Sequence, residues 1–325
     1  METKTNIVFL NEFGIIFHFG LYAVPAFDDP KLIVKRKIQN GSEWYKKRLE
    51  ENGIFRPVSG WKETQTYHKL NYKSKKYEDF TKDFTLKNLD TDKWMELCKS
   101  VGATYVIITA KHHDGFCLFQ TESTDFNSFN HNKRDIVKEF EISARKYGLR
   151  FGIYYSWYEF PSEREEISIK NFTVDYIDTI IDPQIKELLL YKPDIFWFDG
   201  DWIIKTKIGK EKVKTICDIL KEKNIEINDR VCDPNNGTYR VFSDRYIPEN
   251  IIKDKWEHIN TLSLSWGFMK NNQYKSPKLL LKLYNEVIKK GGNFLLNLSP
   301  DKEGIIDVNE QKILKEFGSL INKKQ

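Results

Sequence analysis

Short, almost entirely apolar runs alternate with helix-type segments along most of the chain. The runs are GIIFHFG (14–20), TYVIITA (104–110), RFGIYYS (150–156), DIFWFD (194–199), IEIND (225–229) and NFLLNLS (293–299). A parallel strand that is buried on both faces carries apolar side chains at nearly every position, so such runs are typical of the strands of a parallel sheet. The alternation therefore predicts an α/β protein.

The segments between the runs carry recognisable helix ends. Asp135 can cap a helix that Gly148 terminates, Ser276 can cap a second helix, and a third is expected over 92–102. Each of these signals satisfies or terminates the free backbone groups at the end of a helix. The stretch 24–90, rich in Lys, Tyr and Trp, is less regular, and we expect it to form long loops over one end of the sheet.

Repeated strand–helix–strand units leave two main architectures, an open doubly wound sheet and a closed (β/α)8 barrel. No GxGxxG motif follows the first run, which disfavours an open sheet that binds a dinucleotide. Polar groups capable of chemistry stand near or just after the C-terminal ends of several runs, namely His18, His112, His113, Tyr155, Asp199 and Arg230. In a barrel these ends converge on one mouth. We therefore expect a TIM-like barrel, regular or irregular, that forms a single catalytic domain over residues 1–325.

Composition excludes several other classes of function. The 52 basic and 47 acidic residues are interspersed and give a net charge of only +5, so no basic stripe predicts a nucleic-acid partner. No apolar run reaches the length needed to span a bilayer. The four cysteines, Cys98, Cys117, Cys217 and Cys232, show no CxxC spacing. They are expected to be reduced, structural thiols in a cytoplasmic protein without a membrane partner.

Each candidate residue also has a purely structural interpretation. His18 alone could be a hydrogen-bonded core histidine, Asp199 could cap the turn after its strand, and Asp229 with Arg230 could form a structural ion pair. His112 and His113 could suggest a metal-dependent hydrolase. Neighbouring strand residues point to opposite faces, however, and no third ligand stands at a recognised spacing. We therefore expect neither a metal nor another cofactor.

Several stretches together resemble, in the same order, the motifs of glycoside hydrolase family twenty-nine, the α-L-fucosidases. They are FGIIFHFGLYAVPAF, SEWY, AKHHDGFCLF, RDIVKEF, GLRFGIYYS, WFDGDW, INDR, KWE, SWGF and GGNFLLNLSP. The similarity spans about residues 12–317. AKHHDGF together with WFDG is highly specific, whereas any one tripeptide would be a weak signal.

The resemblance implies a retaining exo-α-L-fucosidase that releases terminal L-fucose through a covalent fucosyl-enzyme. Asp199 matches the catalytic nucleophile. The residues expected to contact the substrate are His18, Glu43, Trp44, His112, His113, Tyr155, Trp197, Arg230, Glu257 and Trp266. Such a set suits a deoxy sugar, whose hydroxyls need polar partners while its methyl group and apolar ring face need aromatic walls.

The second carboxyl group, the acid/base, is the point at which this sequence departs from the commoner motif of the family. Many relatives carry Glu in the segment that corresponds to VFSDRYIPEN, whereas Asp244 occupies the matching place here. Compact bacterial relatives also use Asp there, so the resemblance assigns the role to Asp244, with Glu257 and Glu249 as alternatives. The change from Glu to Asp also leaves open a catalytically weak, fucose-binding pseudoenzyme.

The printed chain ends at KEFGSLINKKQ, where the last helix of the barrel is expected to finish. Many family members continue into a C-terminal β-sandwich, which we do not expect in this chain. The short form resembles compact bacterial enzymes, some of which act on α1,6-fucosyl-N-acetylglucosamine. The expected partner is a fucosylated oligosaccharide or glycoconjugate, and a homo-oligomer is left open.

Overall fold

The computed structural model describes residues 10–35, 40–53, 58–160 and 174–322, and its centre is one sheet of seven parallel strands. The strands are β1 (Phe13–Phe17), β2 (Tyr105–Lys111), β3 (Arg150–Ser156), β4 (Ile195–Asp199), β5 (Glu226–Ile227), β6 (Glu257–Thr261) and β7 (Asn293–Leu298). Their order across the sheet is β5-β4-β3-β2-β1-β7-β6. This arrangement confirms the predicted parallel α/β architecture, because each of the six apolar runs supplies a strand.

The sheet curls so that its two edge strands, β5 and β6, share a bridging segment. Residues 238–241 lie between them: the Thr238 amide donates to the Ile227 carbonyl at 2.7 Å, and the Glu257 amide donates to the Arg240 carbonyl at 2.8 Å. The segment therefore takes the place that an eighth strand has in a (β/α)8 barrel. The expectation that this chain contains no C-terminal β-sandwich stays a prediction.

Helices pack against the sheet and against one another. The helices of the described residues are α1 (Pro30–Lys35), α2 (Tyr45–Leu49), α3 (Trp61–Tyr72), α4 (Thr91–Ser100), α5 (Ser128–Asn132), α6 (Ile136–Lys146), α7 (Val174–Tyr176), α8 (Asp182–Leu189), α9 (Lys207–Glu222), α10 (Pro277–Lys289) and α11 (Val308–Asn322). A π-helical turn, Ile177–Ile181, joins α7 to α8. Helix α6 packs on β2 and β3, α9 on β5, and α10 on β7. Over the described ranges, no helix combines the length and the apolar character needed to cross a membrane.

The predicted helix ends are confirmed for α6 and α10. The Asp135 carboxylate accepts a hydrogen bond from the Lys138 amide at 2.9 Å, and the Ser276 hydroxyl accepts one from the Leu279 amide at 3.3 Å. Helix α4 begins one residue earlier than expected, because Asp90 is its N-cap and accepts a bond from the Lys93 amide.

The stretch 24–90 differs from the prediction of long loops, because it contains α1, α2 and α3. Helix α3 was missed since most of its residues are polar, and only Thr64 and His68 are buried. An apolar stripe with helical spacing, the signal used to detect helices, is therefore absent from it. Residues 36–39 and 54–57 of this stretch lie outside the described residues.

Strand β6 was also missed, because its sequence EHINT is mostly polar although every residue in it is buried. Its polar side chains find partners inside the protein. The Glu257 carboxylate accepts hydrogen bonds from the Tyr105 hydroxyl at 2.6 Å and from the Trp197 indole at 2.8 Å. His258 Nδ1 lies 2.8 Å from the Tyr246 carbonyl oxygen. Buried polar groups that are hydrogen-bonded in this way are tolerated in a core.

The interior of the barrel is filled with side chains, which close it below the mouth. Apolar residues packed there include Ile16, Tyr105, Ile107, Tyr154, Ile195, Trp197 and Leu295. A barrel of about eight strands has room for such a packed interior and no continuous pore. Among the described residues, the open space of the barrel lies at the mouth, where the C-terminal ends of the strands lie.

Replacing Ser276 by Ala should lower the free energy of unfolding by about 1 kcal/mol, because the N-cap hydrogen bond of α10 is lost. Ser276→Asp keeps a capping oxygen and should remain within about 0.5 kcal/mol of the original protein. Urea denaturation of the three proteins measures both differences. Equal stability of the Ala and Asp variants would contradict a capping role.

Burial raises the pKa of Glu257 to about 7 from its usual value of 4.5. The folded protein therefore binds the proton of the Glu257 carboxyl group more tightly than the unfolded chain does. The resulting stabilisation is fully present below about pH 4.5 and is lost as the pH rises through about 7. The Glu257→Gln variant lacks the titrating carboxyl group. Its free energy of unfolding should therefore fall less between about pH 5 and pH 8 than that of the original protein.

Denaturation at several pH values tests the effect of Glu257. Glu222→Gln, a change of the same kind on the exposed face of α9, serves as the matched control and should keep the original pH profile. An identical pH profile for Glu257→Gln and the original protein would show that Glu257 does not carry the predicted proton.

Candidate active site

A cavity of about 1310 Å³ opens at the C-terminal mouth of the barrel. Most of the predicted site residues line it, namely His18, Glu43, Trp44, His112, His113, Trp197, Asp199, Arg230, Asp244 and Trp266. They come from distant parts of the chain and meet because the C-terminal ends of parallel strands in a barrel converge. The structure thus brings together groups that the sequence separates widely.

Asp199 is the last residue of β4 and lies deep in the cavity. All five residues of this strand, IFWFD, are buried. The next residue, Gly200, has φ of 85°, and a Cβ atom there would lie 2.7 Å from Cβ of Tyr158. A glycine is therefore required for the turn that ends the strand at Asp199.

The Asp199 carboxylate has three polar neighbours. Arg230 Nη1 donates to its Oδ1 at 2.9 Å, the Tyr154 hydroxyl donates to its Oδ2 at 3.0 Å, and His113 Nε2 lies 3.6 Å from Oδ2. Burial alone would raise the pKa of Asp199. The charge of Arg230, the proximity of His113 and the two donated hydrogen bonds outweigh burial and hold that pKa below its usual value of 3.8. Asp199 is therefore ionised at neutral pH.

Arg230 joins Asp199 to a second carboxylate, that of Asp244. Its Nη2 donates to Asp244 Oδ1 at 2.5 Å, and its guanidinium carbon lies 4.7 Å from the centre of the Trp197 ring. The side chain of Asp199 is 12% exposed and that of Asp244 is 38% exposed. One guanidinium therefore holds a deep carboxylate and a carboxylate at the cavity mouth.

Three imidazole rings lie together on one side of Asp199. Burial lowers the pKa of His18 to about 4. Burial and the two neighbouring imidazoles hold the pKa of His112 well below 6.5, and burial also lowers the pKa of His113. All three rings are therefore neutral at pH 7, when each can both donate and accept a hydrogen bond.

A hydrogen bond fixes the orientation of the His18 ring, whereas one nitrogen of His112 is left without a partner among the described residues. Asn297 donates from Nδ2 to the Trp266 carbonyl at 2.7 Å, so its Oδ1, 2.6 Å from His18 Nδ1, is an acceptor. The His18 proton is therefore assigned to Nδ1, and Nε2 is left to accept. His112 Nδ1 is buried and has no hydrogen-bond partner among the described residues. Such an orphaned polar atom is expected where a ligand supplies the partner.

Glu43 and two tryptophan rings complete the lining of the cavity. The Glu43 carboxylate accepts hydrogen bonds from the backbone amides of Gly41 at 2.6 Å and Gly267 at 3.0 Å. It thereby ties the turn that carries Trp44 to the loop that carries Trp266. The Trp266 ring centre lies 5.2 Å from that of His18. Charged, neutral polar and aromatic groups thus face the same space.

The structure corrects the placement of Tyr155. Side chains alternate between the two faces of a strand, and Tyr155 points away from the cavity. Its hydroxyl donates to Gln184 Oε1 at 2.6 Å, and Lys111 Nζ lies 4.6 Å from its ring centre. The preceding residue, Tyr154, lines the cavity instead.

Glu257 is the second correction. It lies beneath the cavity floor, where it is 1% exposed, and its two oxygens accept hydrogen bonds from Tyr105 and Trp197. It therefore supports Trp197 from below, a position that suits neither a substrate contact nor the acid/base role. The other alternative, Glu249, is exposed and does not line the cavity.

Several cavity residues were not predicted. They include Tyr154, Asp201, Trp202, Phe242, Ser243 and Arg245. Trp202 stands within the quoted motif WFDGDW and could have been singled out from it. The sequence does not indicate which of Tyr154 and Tyr155 faces the cavity, because both faces of β3 are buried and carry similar side chains.

In the part of the chain that the structure describes, no group of three or more His, Cys, Asp or Glu side chains is arranged to hold a metal ion. Two of the three imidazoles of the cavity are instead hydrogen-bonded to different partners. His18 is bonded to Asn297 and His113 Nδ1 lies 2.6 Å from the Ser156 hydroxyl. The chemistry offered by the described residues is that of carboxylates, neutral imidazoles and aromatic rings.

Comparison with known proteins agrees with this chemistry. A family model described as Alpha-L-fucosidase matches residues 7–325. An alpha-L-fucosidase of Dictyostelium discoideum is 31% identical over 332 residues, which cover 96% of this chain and 68% of the relative. The plasma alpha-L-fucosidase of Homo sapiens is 31% identical over 341 residues, which cover 95% of this chain and 66% of the relative. The chain thus spans about two thirds of the length of these relatives.

The fold has a close counterpart among solved structures. The crystal structure of Thermotoga maritima alpha-fucosidase in complex with a mechanism based inhibitor superposes with a TM-score of 0.81 at 32% identity. The superposition covers 96% of this chain and 72% of that chain. Together with the family match over residues 7–325, it shows that the chain belongs to the alpha-L-fucosidase family of glycoside hydrolases.

Proposed function

We propose that this chain is a retaining exo-α-L-fucosidase that hydrolyses terminal α-L-fucose from fucosylated oligosaccharides or glycoconjugates. The observation that carries the proposal is the guanidinium of Arg230, which binds Asp199 and Asp244 through its two terminal nitrogens. A retaining glycosidase needs two carboxyl groups about 5 Å apart, one as nucleophile and one as acid/base. Two carboxylates on neighbouring nitrogens of one guanidinium fit that requirement.

In the first step, the ionised carboxylate of Asp199 attacks the anomeric carbon and forms an ester bond to fucose. The bond from the anomeric carbon to the leaving oxygen breaks, and protonated Asp244 transfers its proton to that oxygen. Asp199 suits the nucleophile because its pKa is held below its usual value by Arg230, His113 and Tyr154 against the effect of burial. Asp244 suits the acid because it lies at the mouth, where the aglycone must leave.

In the second step, water attacks the anomeric carbon of the fucosyl-enzyme. Asp244, now ionised, takes a proton from that water, and the ester bond to Asp199 breaks. Fucose is released with its original anomeric configuration, and both carboxyl groups return to their starting states. A bell-shaped dependence of the rate on pH follows, since one carboxyl must be ionised and the other protonated.

The closed end of the cavity supports removal of a terminal sugar. In the described part of the chain, packed side chains beneath Trp197 close the cavity below the site, which favours access to Asp199 by the end of a glycan chain. The imidazoles of His18 and His112 and the carboxylate of Glu43 offer partners for hydroxyl groups, and Trp44 and Trp266 offer apolar surfaces. The Thermotoga relative has been solved in complex with fucose as well as with a mechanism based inhibitor, which supports the same substrate and a covalent step here.

The finer substrate preferences stay predictions. Preference for α1,6-linked fucose on N-acetylglucosamine rests on resemblance to compact bacterial enzymes, and a panel of fucosyl disaccharides of different linkage measures it. A cytoplasmic location and a homo-oligomeric state likewise stay predictions.

A fucose-binding protein without effective catalysis is the second candidate. The observation that favours it is Asp244, whose side chain is shorter than the Glu of many relatives and is 38% exposed. Such a protein would keep the pocket and bind fucose without turnover. The two candidates therefore differ in whether a fucoside is hydrolysed.

Hydrolysis of 4-nitrophenyl α-L-fucoside by the original protein is expected, and Asp199→Ala should lower kcat by at least about 10³-fold because the nucleophile is lost. Release of 4-nitrophenol measures both rates. Asp218→Asn, a change on α9 at a partly exposed side chain outside the cavity, is the matched control and should leave the rate unchanged. Binding of fucose without hydrolysis by the original protein would establish the second candidate instead.

Asp244→Gly should lose most of its activity, and azide should restore turnover and yield α-L-fucosyl azide. The small anion can enter the space left by Asp244 and attack the fucosyl-enzyme without needing a general base. Product analysis by NMR gives the anomeric configuration. Glu249→Gly is the matched control and should keep the original activity without azide. Failure of azide to accelerate Asp244→Gly, or formation of the β-azide, would contradict the assignment of Asp244.

A further inference from the structure

We propose that the mouth of the cavity contains a second carbohydrate subsite, in which the rings of Trp202 and Phe242 stack on the pyranose bonded to the leaving oxygen. This inference rests on the proposed fucosidase activity and specifies the other half of its substrate. It predicts that the preferred aglycone begins with a hexopyranose, held through its apolar face.

The size of the cavity first indicates a second subsite. At about 1310 Å³ it exceeds the roughly 300–1,000 Å³ of pockets that enclose a drug-sized ligand. Under the proposed function, fucose binds beside Asp199, His112 and His113, which are buried at the cavity. The remaining space includes the mouth, where more exposed residues of the segment 242–245 and of the turn Asp201–Ile203 line the cavity.

Two large aromatic side chains are exposed in this part of the cavity. Trp202 is 46% exposed and Phe242 is 43% exposed, and both line the cavity. Leaving so much aromatic surface in water is unfavourable, and each such ring would stabilise the fold if it were buried. Exposed apolar surface that lines a cavity, as opposed to single residues scattered on the surface, is typical of a binding site.

The two rings stand where the aglycone must lie. The leaving oxygen has to come within hydrogen-bond distance of Asp244, so the group attached to it contacts the segment 242–245 that carries Phe242. On the other side, the Trp202 ring centre lies 5.7 Å from that of His113, whose Nε2 is 3.6 Å from Asp199. A sugar attached to fucose therefore enters the space that these two rings border.

Neighbouring rings hold both side chains without covering them. Phe242 packs at 6.3 Å between ring centres against Tyr246 and also at 6.3 Å against Trp256. Trp202 packs against Tyr158 at 6.3 Å. Rings that are fixed before the ligand arrives lose little conformational freedom on binding, which favours affinity.

The polar residues beside the rings identify the occupant as a sugar. Asp201 and Ser243, the chain neighbours of Trp202 and Phe242, line the cavity, as does Arg245. A pyranose has a face of C–H groups that can stack on an aromatic ring and a rim of hydroxyls that can bond to such side chains. A purely apolar aglycone would desolvate these polar groups without replacing their hydrogen bonds.

The test compares two substrates that share fucose and differ in the second subsite. α-L-Fucosyl fluoride carries a leaving group that needs no proton and is too small to reach Trp202 or Phe242. The second substrate is the fucosyl disaccharide that the original protein cleaves best in a linkage panel. In Trp202→Ala and in Phe242→Ala, the ratio of kcat/KM for the disaccharide to kcat/KM for the fluoride should fall at least about tenfold.

Conservative variants separate stacking from simple loss of volume. Trp202→Phe keeps an aromatic face and should recover most of the ratio, whereas Phe242→Leu keeps apolar bulk without a ring and should not. Leu279→Ala is the control. It removes a 43% exposed apolar side chain of α10 that does not line the cavity, and it should leave the ratio unchanged.

Two results would overturn the subsite. One is an unchanged ratio in both alanine variants, including the case in which both substrates lose activity equally. The other is cleavage of the fluoride by an original protein that cleaves no disaccharide. Failure of the proposed fucosidase activity has a different signature, because the original protein would then not hydrolyse even the fluoride.

Discussion

Arg230 presents its two terminal nitrogens to two different carboxylates, and the arrangement of the site depends on that double contact. Two carboxylates so close together would repel each other, and one would take up a proton and lose its charge. The cation between them offsets this repulsion and keeps Asp199 ionised although its side chain is only 12% exposed. Removing Arg230 would leave a buried, uncompensated charge at Asp199, which is strongly destabilising.

The guanidinium is held in turn by the barrel. The Trp157 indole donates to the Arg230 carbonyl at 3.0 Å, and the Trp197 ring lies below the guanidinium. Trp197 is oriented by Glu257, which also binds Tyr105. A column of hydrogen-bonded and stacked groups therefore runs from the barrel interior to the two carboxylates. Glu257 belongs to this support, which explains why a titratable residue is buried beneath an active site without lining it.

The elements and site residues that could be predicted from the sequence are those that leave a local signal in it. Apolar runs indicated six of the strands, and the capping residues Asp135 and Ser276 indicated two of the helices. Strand β6 left no such signal, because Glu257 and His258 are satisfied by partners that only the folded barrel brings near. The motif resemblance indicated many of the cavity residues, whereas Tyr155, expected at the site because it ends an apolar run, points away from the cavity. Strand phase is ambiguous where both faces are buried, and the exposed mouth around Phe242 and Trp202 is determined by loop geometry.

The covalent bond to Asp199 is the central claim, and trapping it is the most direct measurement. 2-Deoxy-2-fluoro-L-fucosyl fluoride should form a fucosyl-enzyme that hydrolyses slowly, because fluorine destabilises the transition state of both steps while the fluoride leaving group still permits the first. Peptide mass spectrometry should then find one fluorofucosyl group, attached to Asp199. A label on Asp244 or Asp201, or hydrolysis of fucosides with inversion and no labelled peptide, would contradict the account.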